Sequence, residues 1–518
     1  MITSLPPFLI FFAGALVVAF APNRLRPTLT LLVPLFGGWN LWYVAAGSDL
    51  TVALFDYRLE LVRSDKLSLL FGILFHLATF LISIYAVHIR DRLQQVSSLV
   101  YAGGALGAVF AGDLITLFVA WELMAVSSVF LIWARRTPRA SGAGLRYLAI
   151  QISSGLLLLA GALLHISETG SLAFGPLGVG SLAGVLIFTA FGIKCAFPLV
   201  HSWLTDAYPE ATPSGMVFLS AFTTKVAVYG LARSFAGTEA LIYIGTAMAM
   251  FPIFYAVIEN DLRRVLAFSL INQVGFMVVG IGIGSELGLN GAVSHAFNDV
   301  LFKGLLLMTM GAVLHQTGKI NGSELGGLYK TMPITTGFCI VGAASISAFP
   351  LFSGFVSKSM VMAAAAQEGY WIVWLLLLFA SAGVFHHAGI KIPYFAFFAH
   401  DSGIRTREPP ANMLIAMGLG AALCILIGVY PSLLYGILPW EVHYIPYTAD
   451  HVLTQLQLLF FSALAFAWLN LAGLYPPELP SVNLDADWLY RRLGLRGARL
   501  AERALAKAEQ TGARLTEV

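Results

Sequence analysis

Eight ionisable residues lie where the surrounding sequence is almost wholly apolar. Glu122 sits in FVAWELMAVSS, Lys194 in FTAFGIKCAFPLVHSW, Lys225 in SAFTTKVAVYG and Lys358 in SISAFPLFSGFVSK. Lys391 sits in FHHAGIKIPYFAFF, and His295, Asp299 and Lys303 share GAVSHAFNDVLFKGLLL. The chemistry open to such groups is reversible protonation. Burial favours the neutral form of an amine and a nearby carboxylate restores the charged form, so a lysine that meets and leaves a carboxylate swings in proton affinity. Histidine, titrating near neutrality, suits an intermediate step. His295, Asp299 and Lys303 recur every four residues and share one face of a helix. They read as a hydrophilic path; the alternative is an ion-pair network that only stabilises packing.

Membrane spans must position these groups. The chain has 518 residues, 58% hydrophobic and 11% charged, where a soluble globular chain has about 25% charged. Apolar runs long enough to cross a hydrocarbon core of roughly 30 Å recur along the chain. They lie near 6–22, 27–47, 66–88, 96–112, 114–134, 143–166, 178–205, 212–235, 238–258, 264–284, 288–316, 333–364, 370–399, 411–435 and 451–474, fifteen spans in all. Runs of this length must be helices, because lipid satisfies no backbone polar group. Residues 50–65 alternate apolar and polar and read as a short extracytoplasmic hairpin. Pro198 interrupts the span that carries Lys194, and Pro350 the span that carries Lys358; the spans that follow carry Lys225 and Lys391. Proline removes a backbone donor and breaks the helix, and matched interruptions in two halves point to a transporter site at an inverted repeat. Asn272 and Gln273 in span 10 add uncharged polar groups able to hold water on the same path.

Basic residues cluster after odd-numbered spans: Arg24 and Arg26, Arg90 and Arg92, Arg135, Arg136 and Arg139, Arg263 and Arg264, Lys319 and Lys330, Arg405 and Arg407. The positive-inside rule then places the N-terminus outside and the C-terminus in the cytoplasm. Arg58, Arg63 and Lys66 after span 2 run against it, beside Asp56, Glu60 and Asp65. The tail from about 483 to 518 reads as a basic amphipathic helix, with Leu489, Leu493, Leu500 and Leu505 among Arg491, Arg492, Arg496, Arg499, Arg503, Lys507 and Arg514, lying on the membrane or a partner. A net charge of +3 makes no case for nucleic acid. Cys195, Cys339 and Cys424 are dispersed in apolar runs and read as fillers, not metal ligands. No nucleotide, flavin or metal motif implies a cofactor. The N-terminus lacks a basic region and cleavage site, so its apolar stretch reads as the first span.

The segments AWELMAVSS, GIKCAFPLVHSWLTDAYPEATPSGMVFLSAFTTKVAVYG, ENDLRRVLAFSLINQVGFM, SHAFNDVLFKGLL and FPLFSGFVSK resemble the antiporter-like subunits of respiratory complex I, Mrp-type cation/proton antiporters and membrane-bound hydrogenases. The resemblance covers roughly residues 66–435. It implies an all-α polytopic fold of about fourteen core helices, with two five-helix inverted repeats (helices 4–8 and 9–13) and discontinuous helices 7 and 12; a fifteenth span is additional. The corresponding divisions are 1–95, 96–235, 238–400, 411–474 and the tail 475–518. Glu122, Lys194, Lys225 and His295 match the family's ionisable positions, and Lys358 matches the distal one in its lysine form, which is most similar to the Mrp D subunit. Asp299 departs from the pattern, which often has a second histidine there, and is open to a link with Lys303 or to cation binding. The resemblance implies a transporter component of a prokaryotic inner membrane, not itself an enzyme, assembled with other membrane subunits in the lipid bilayer. It would move protons, with Na⁺ as a further cargo, from a Lys194–Glu122 pair through Lys225 and His295 to Lys358. Alternatives within the family are a proton pump in a complex I-like, hydrogenase or inorganic-carbon uptake assembly. The rivals outside it are a scaffold with vestigial charges and a quinone-associated membrane subunit.

Overall fold

The computed structural model describes residues 5–480 except 45, 46, 48 and 56, and residues 483–506 except 490, 495, 498, 501, 504 and 505. Asp56, Leu505, Lys507 and Arg514 therefore lie outside the described residues. Spans 1–6 are α1 (Pro7–Phe20), α2 (Arg26–Leu41), α3 (Lys66–Tyr85), α4 (Arg92–Phe110), α5 (Leu114–Trp133) and α6 (Pro138–Thr169). Span 7 is two helices, α7 (Leu182–Lys194) and α8 (Ser202–Ala207). Spans 8–11 are α9 (Pro213–Ser234), α10 (Ala240–Ile258), α11 (Leu262–Ile283) and α12 (Glu286–Thr317). Span 12 is again divided, into α13 (Pro333–Ile346) and α14 (Ser353–Gln367). Span 13 begins as α15 (Trp371–Val384) and continues as π-helical turns over Phe385–Lys391 and Tyr394–Phe398. Span 14 is α16 (Ala411–Val429) with the short α17 (Ser432–Tyr435), and span 15 is α18 (Ala449–Leu471). The expected hairpin is present as antiparallel β1 (Leu50–Leu54) and β2 (Tyr57–Val62). Among the described residues ten helices are each long and apolar enough to cross a membrane.

Helix ends follow local chemistry. Asp113, Ser181, Thr212 and Ser285 accept backbone N–H bonds at the starts of α5, α7, α9 and α12, satisfying donors that the first turn leaves free. Asp113 and Asp261, the caps of α5 and α11, also form isolated β-bridges to Ala173 and Asn321.

The two proline breaks share one geometry. Ala196 and Leu199 have φ of 63° and 73°, and Ala348 and Leu351 have 58° and 74°. Phe197 N–H donates to the Gly192 carbonyl and Phe349 N–H to the Ala344 carbonyl, the Schellman closure that ordinarily places glycine in the left-handed residue. Both breaks read Ala-Phe-Pro-Leu, at 196–199 and 348–351. This recurrence is present in the sequence; the proline positions are only part of it.

Burial explains where charge is tolerated. The spanning window of α9 is entirely buried inside the protein and those of α11 and α12 are 94% buried, against 17% for α18. The polar helices thus face protein, and α18 leaves most of its apolar surface outside this chain. Helices α10 and α11 approach almost backbone to backbone. A Cβ built at Gly275 would lie 2.5 Å from the Ala249 amide nitrogen, and one at Gly245 would lie 2.6 Å from that of Val279. Gly275→Ala is therefore expected to cost about 1–3 kcal/mol through overpacking. The check is the thermal midpoint of the detergent-solubilised protein, and an unchanged midpoint contradicts the expectation.

The described residues of the C-terminal tail are helical and mostly exposed from 487 on, as a surface helix requires, but the lead-in to it is not helical. Residues 475–480 and 483–485 are not helical, and helix begins at 487. The segment is tied to the core by polar side chains: Glu478 pairs with Lys391, Asp485 with His201 and Arg491 with Asp206. These partners are distant in sequence, so amphipathic periodicity alone carries no sign of them.

Candidate functional site

The centre of the bundle holds an ion pair between Lys225 of α9 and Asp299 of α12, with Nζ and Oδ2 2.5 Å apart and both side chains wholly buried. Lys225 also donates to the Ser220 carbonyl at 3.2 Å and the Thr224 hydroxyl at 3.5 Å. Among the described residues the second oxygen of Asp299 has no hydrogen-bond partner. Of the two roles the sequence leaves open for Asp299, the link to Lys303 does not form: Asp299 pairs with Lys225. Lys303 instead donates to the Ser269 hydroxyl of α11 at 2.7 Å. Side chains four residues apart on a helix lie on one face, but each reaches toward whichever neighbouring helix it meets. Asp299 meets α9 and Lys303 meets α11.

One turn before Asp299, His295 bridges two helices. Its Nδ1 lies 3.0 Å from the Ser357 hydroxyl of α14, and its Nε2 lies 3.1 Å from Gln273 Oε1 of α11. Gln273 Nε2 donates to Asn272 Oδ1 at 2.6 Å, and Asn272 Nδ2 donates to the Ala249 carbonyl. Both span-10 residues thus belong to the polar stripe through side-chain contacts. Lys358, next to Ser357, turns back to the second helix break. Its Nζ donates to the Ile346 carbonyl at 2.9 Å and lies 5.2 Å from the centre of the Phe276 ring. The break frees the last carbonyls of α13, and a cation satisfies one of them.

Lys194 ends α7 at the first break. Its Nζ donates to the Trp121 carbonyl at 2.8 Å and lies 4.1 Å from the Trp121 ring centre. Glu122, the next residue on α5, forms no ion pair with it; the expected Glu122–Lys194 pair is replaced by a lysine held on the preceding residue. The Glu122 carboxyl lies against Gly155 of α6, where a Cβ would overlap Oε1, and that oxygen has no hydrogen-bond partner. Gln151, one turn earlier on α6, is also buried with both amide atoms unpartnered.

Lys391 stands apart from the central stripe. It donates to the Val257 and Glu259 carbonyls at 2.6 and 2.7 Å, and pairs with Glu478 at 2.8 Å. The expected equivalence with Lys225 is therefore not one of contacts. Lys225 holds a carboxylate at the centre, while Lys391 satisfies the end of α10 and anchors the C-terminal segment. Nothing in the sequence singles out Ser269, Ser357, Trp121 and Glu478. Their types are common in membrane helices and loops, and only the packing distinguishes them. Among the described residues, no group of three or more His, Cys, Asp or Glu side chains is arranged to hold a metal ion.

The family model described as "NADH:quinone oxidoreductase/Mrp antiporter, TM" matches residues 111–384. That stretch contains both helix breaks and every residue singled out above for protonation chemistry except Lys391. The chain belongs to this family. It is 27% identical over 429 residues to hydrogenase-4 component B of Escherichia coli strain K12, covering 73% of this chain and 63% of that protein. It is 29% identical over 425 residues to the A subunit of the Na(+)/H(+) antiporter of Alkalihalophilus pseudofirmus, covering 71% of this chain and 52% of that protein. The chain thus spans half to two thirds of the length of these curated relatives. In three dimensions it superposes on a chain of the Mrp complex from Dietzia sp. DQ12-45-1b with a TM-score of 0.82 at 24% identity, covering 96% of this chain and 59% of that one. The antiporter-family architecture therefore extends on both sides of the matched stretch, to a multi-pass membrane chain of about 500 residues.

Proposed function

We propose that the chain is a proton-translocating subunit of a multisubunit monovalent cation/proton antiporter, passing protons along its buried ionisable side chains. The carrying observation is the Lys225–Asp299 pair, which joins α9 to α12 at full burial. The first two stations are Lys194 beside the α7–α8 break and Lys225 with Asp299. His295 and Lys303 continue along α12, and Lys358 stands at the α13–α14 break. Water must complete the gaps between stations that do not touch. Glu122, one residue from the carbonyl that now holds Lys194, is placed to take over that lysine when it moves. Closely similar geometry at the two breaks, and matching caps and bridges at Asp113 and Asp261, support two repeats over 96–235 and 238–400. The clustering of Arg and Lys supports a C-terminus in the cytoplasm and an N-terminus outside.

A second reading, a proton pump within a redox-linked assembly, is favoured by the hydrogenase relative. Partners in either case are other membrane subunits. The likeness to a D subunit rests on Lys358, whereas the Alkalihalophilus relative is an A subunit. The test is a ΔpH assay in everted vesicles carrying the intact complex. Collapse of the gradient on adding Na⁺ or K⁺ supports antiport; gradient formation driven only by an electron donor supports the second reading. Lys358→Ala is expected to reduce either activity at least tenfold with assembly intact, and undiminished transport contradicts the proposed path.

A further inference from the structure

His387 is among the buried ionisable side chains that lie outside the proposed path. It is fully buried, and among the described residues no side chain partners either ring nitrogen; the Gly383 carbonyl one turn back is the acceptor beside the ring. Its neighbour His386 is different, stacked on Tyr475 with centroids 5.3 Å apart and edge-on to Phe466 at 5.2 Å. His386 thus packs against the C-terminal segment and α18, while His387 turns into the protein. One carbonyl serves at most one ring nitrogen, and leaving the other unsatisfied in a buried site costs about 1–3 kcal/mol, so its retention calls for a reason.

The setting supplies one. His387 lies in the seven-residue π-helical run Phe385–Lys391, a winding that is rare and concentrates at functional sites. This run packs on the second break: a Cβ at Gly389 would overlap the Ser347 hydroxyl. The charged and titratable groups within electrostatic reach of the imidazole are Lys303 of α12 and, on its own segment, His386 and Lys391; the Gly383 carbonyl lies one turn back. Lys303 belongs to the central stripe. Lys391 is bonded to Glu478 and to the Glu259 main chain, and the Glu259 carboxylate accepts from Asn483 at 3.3 Å. Glu259 and Asn483 line a polar cavity of about 790 Å³, with Asp206, Glu210, Arg264 and Asp485 also on its wall. Burial raises the Glu478 carboxyl above the ordinary carboxylate value, against the opposing pull of Lys391.

We propose that His387 carries a proton between Lys303 at the centre of the bundle and the Lys391–Glu478 pair beside this cavity. The inference rests on the proton-translocation reading and adds to it a branch to the face where the C-terminal segment folds back. In the step, an N–H bond of the Lys303 ammonium breaks and one forms on a free imidazole nitrogen. The opposite imidazole N–H then breaks and the proton passes to the Glu478 carboxylate. One proton enters and one leaves, and no electrons move. Lys303 is held by the Ser269 hydroxyl alone, and it swings on its four-carbon stem or uses a bridging water to reach the ring.

The experiment compares His387→Gln, His387→Ala and Lys225→Ala in the intact complex in everted vesicles, with assembly checked by co-purification. His387→Gln is expected to lower proton transport at least tenfold. Free imidazole is expected to restore transport to His387→Ala, because it resupplies the base and not the packing. Transport within twofold of wild type in His387→Gln, alongside an inactive Lys225→Ala, overturns the branch and leaves the main path standing. Lost transport that imidazole does not restore assigns His387 a structural role and overturns it too. Wild-type transport in Lys225→Ala counts instead against the underlying reading.

Discussion

Asp299→Ala alone is expected to destabilise the protein by about 3–5 kcal/mol, the cost of leaving a buried charge without its partner, and to abolish transport. Lys225 is wholly buried, and its remaining acceptors at 3.2 and 3.5 Å are long. The ammonium is then left without its counter-charge and must draw in water or displace α9 from α12. The double variant Lys225→Met/Asp299→Leu removes both charges and keeps the volume. Such replacements are often neutral or stabilising, so the thermal midpoint should return to near wild type. Transport should not return, because the lysine and carboxylate proposed to carry the proton from Lys194 to the α12 stripe are then gone. The two measurements separate the roles: a double variant that is stable and inactive shows that the pair conducts, whereas one that is stable and fully active shows that it only holds helices together. The latter result would overturn the pair as a station of the proposed path.

Lys194→Met and Glu122→Gln form the second test with a large expected effect. Lys194 is held by the Trp121 carbonyl at 2.8 Å and by the Trp121 ring at 4.1 Å. A cation over a desolvated indole gains about 2 kcal/mol, comparable with a charge-assisted hydrogen bond. A move toward the Glu122 carboxylate is thus an exchange between two similar sites, as a repeating step requires. Methionine removes the proton carrier while filling the space, and transport should fall at least tenfold with assembly retained. Glutamine removes the charge that draws the lysine over, and should cause a comparable loss. Expression and co-purification monitor folding. Wild-type rates in both variants would sink the proposal that Lys194 swings.

How far the sequence carried these assignments follows from the physics of the bilayer. A charge at the membrane centre costs at least about 2.5 kcal/mol, so Glu122, Lys194, Lys225, Asp299, Lys303, Lys358 and Lys391 stand out without any structure. Hydrocarbon thickness sets span length, which makes the fifteen spans countable. Proline removes a backbone donor, which marks both breaks. Contacts are another matter. Asp299 is four residues from Lys303 and seventy-four from Lys225 in sequence, yet it pairs with Lys225. Helix rotation and the choice of neighbours decide that, and both emerge only when α9, α11 and α12 pack together. Glu122 and Lys194 reverse the case, adjacent in the expected path but separated because the Trp121 carbonyl lies nearer. Lys391 carried the same signal as Lys225, a lysine in the span after a break, but the folded C-terminal segment supplies Glu478 and makes it an anchor. His387 is the extreme. In α-helical winding its partners would follow from three- and four-residue spacing, but π winding shifts the register. Composition and periodicity determined the spans, the breaks and the list of candidate charges, because those depend on each residue's own cost in lipid. Which charge meets which, and which imidazole is left without a side-chain partner, was decided by tertiary packing, because pairing depends on helix rotation and on segments hundreds of residues apart.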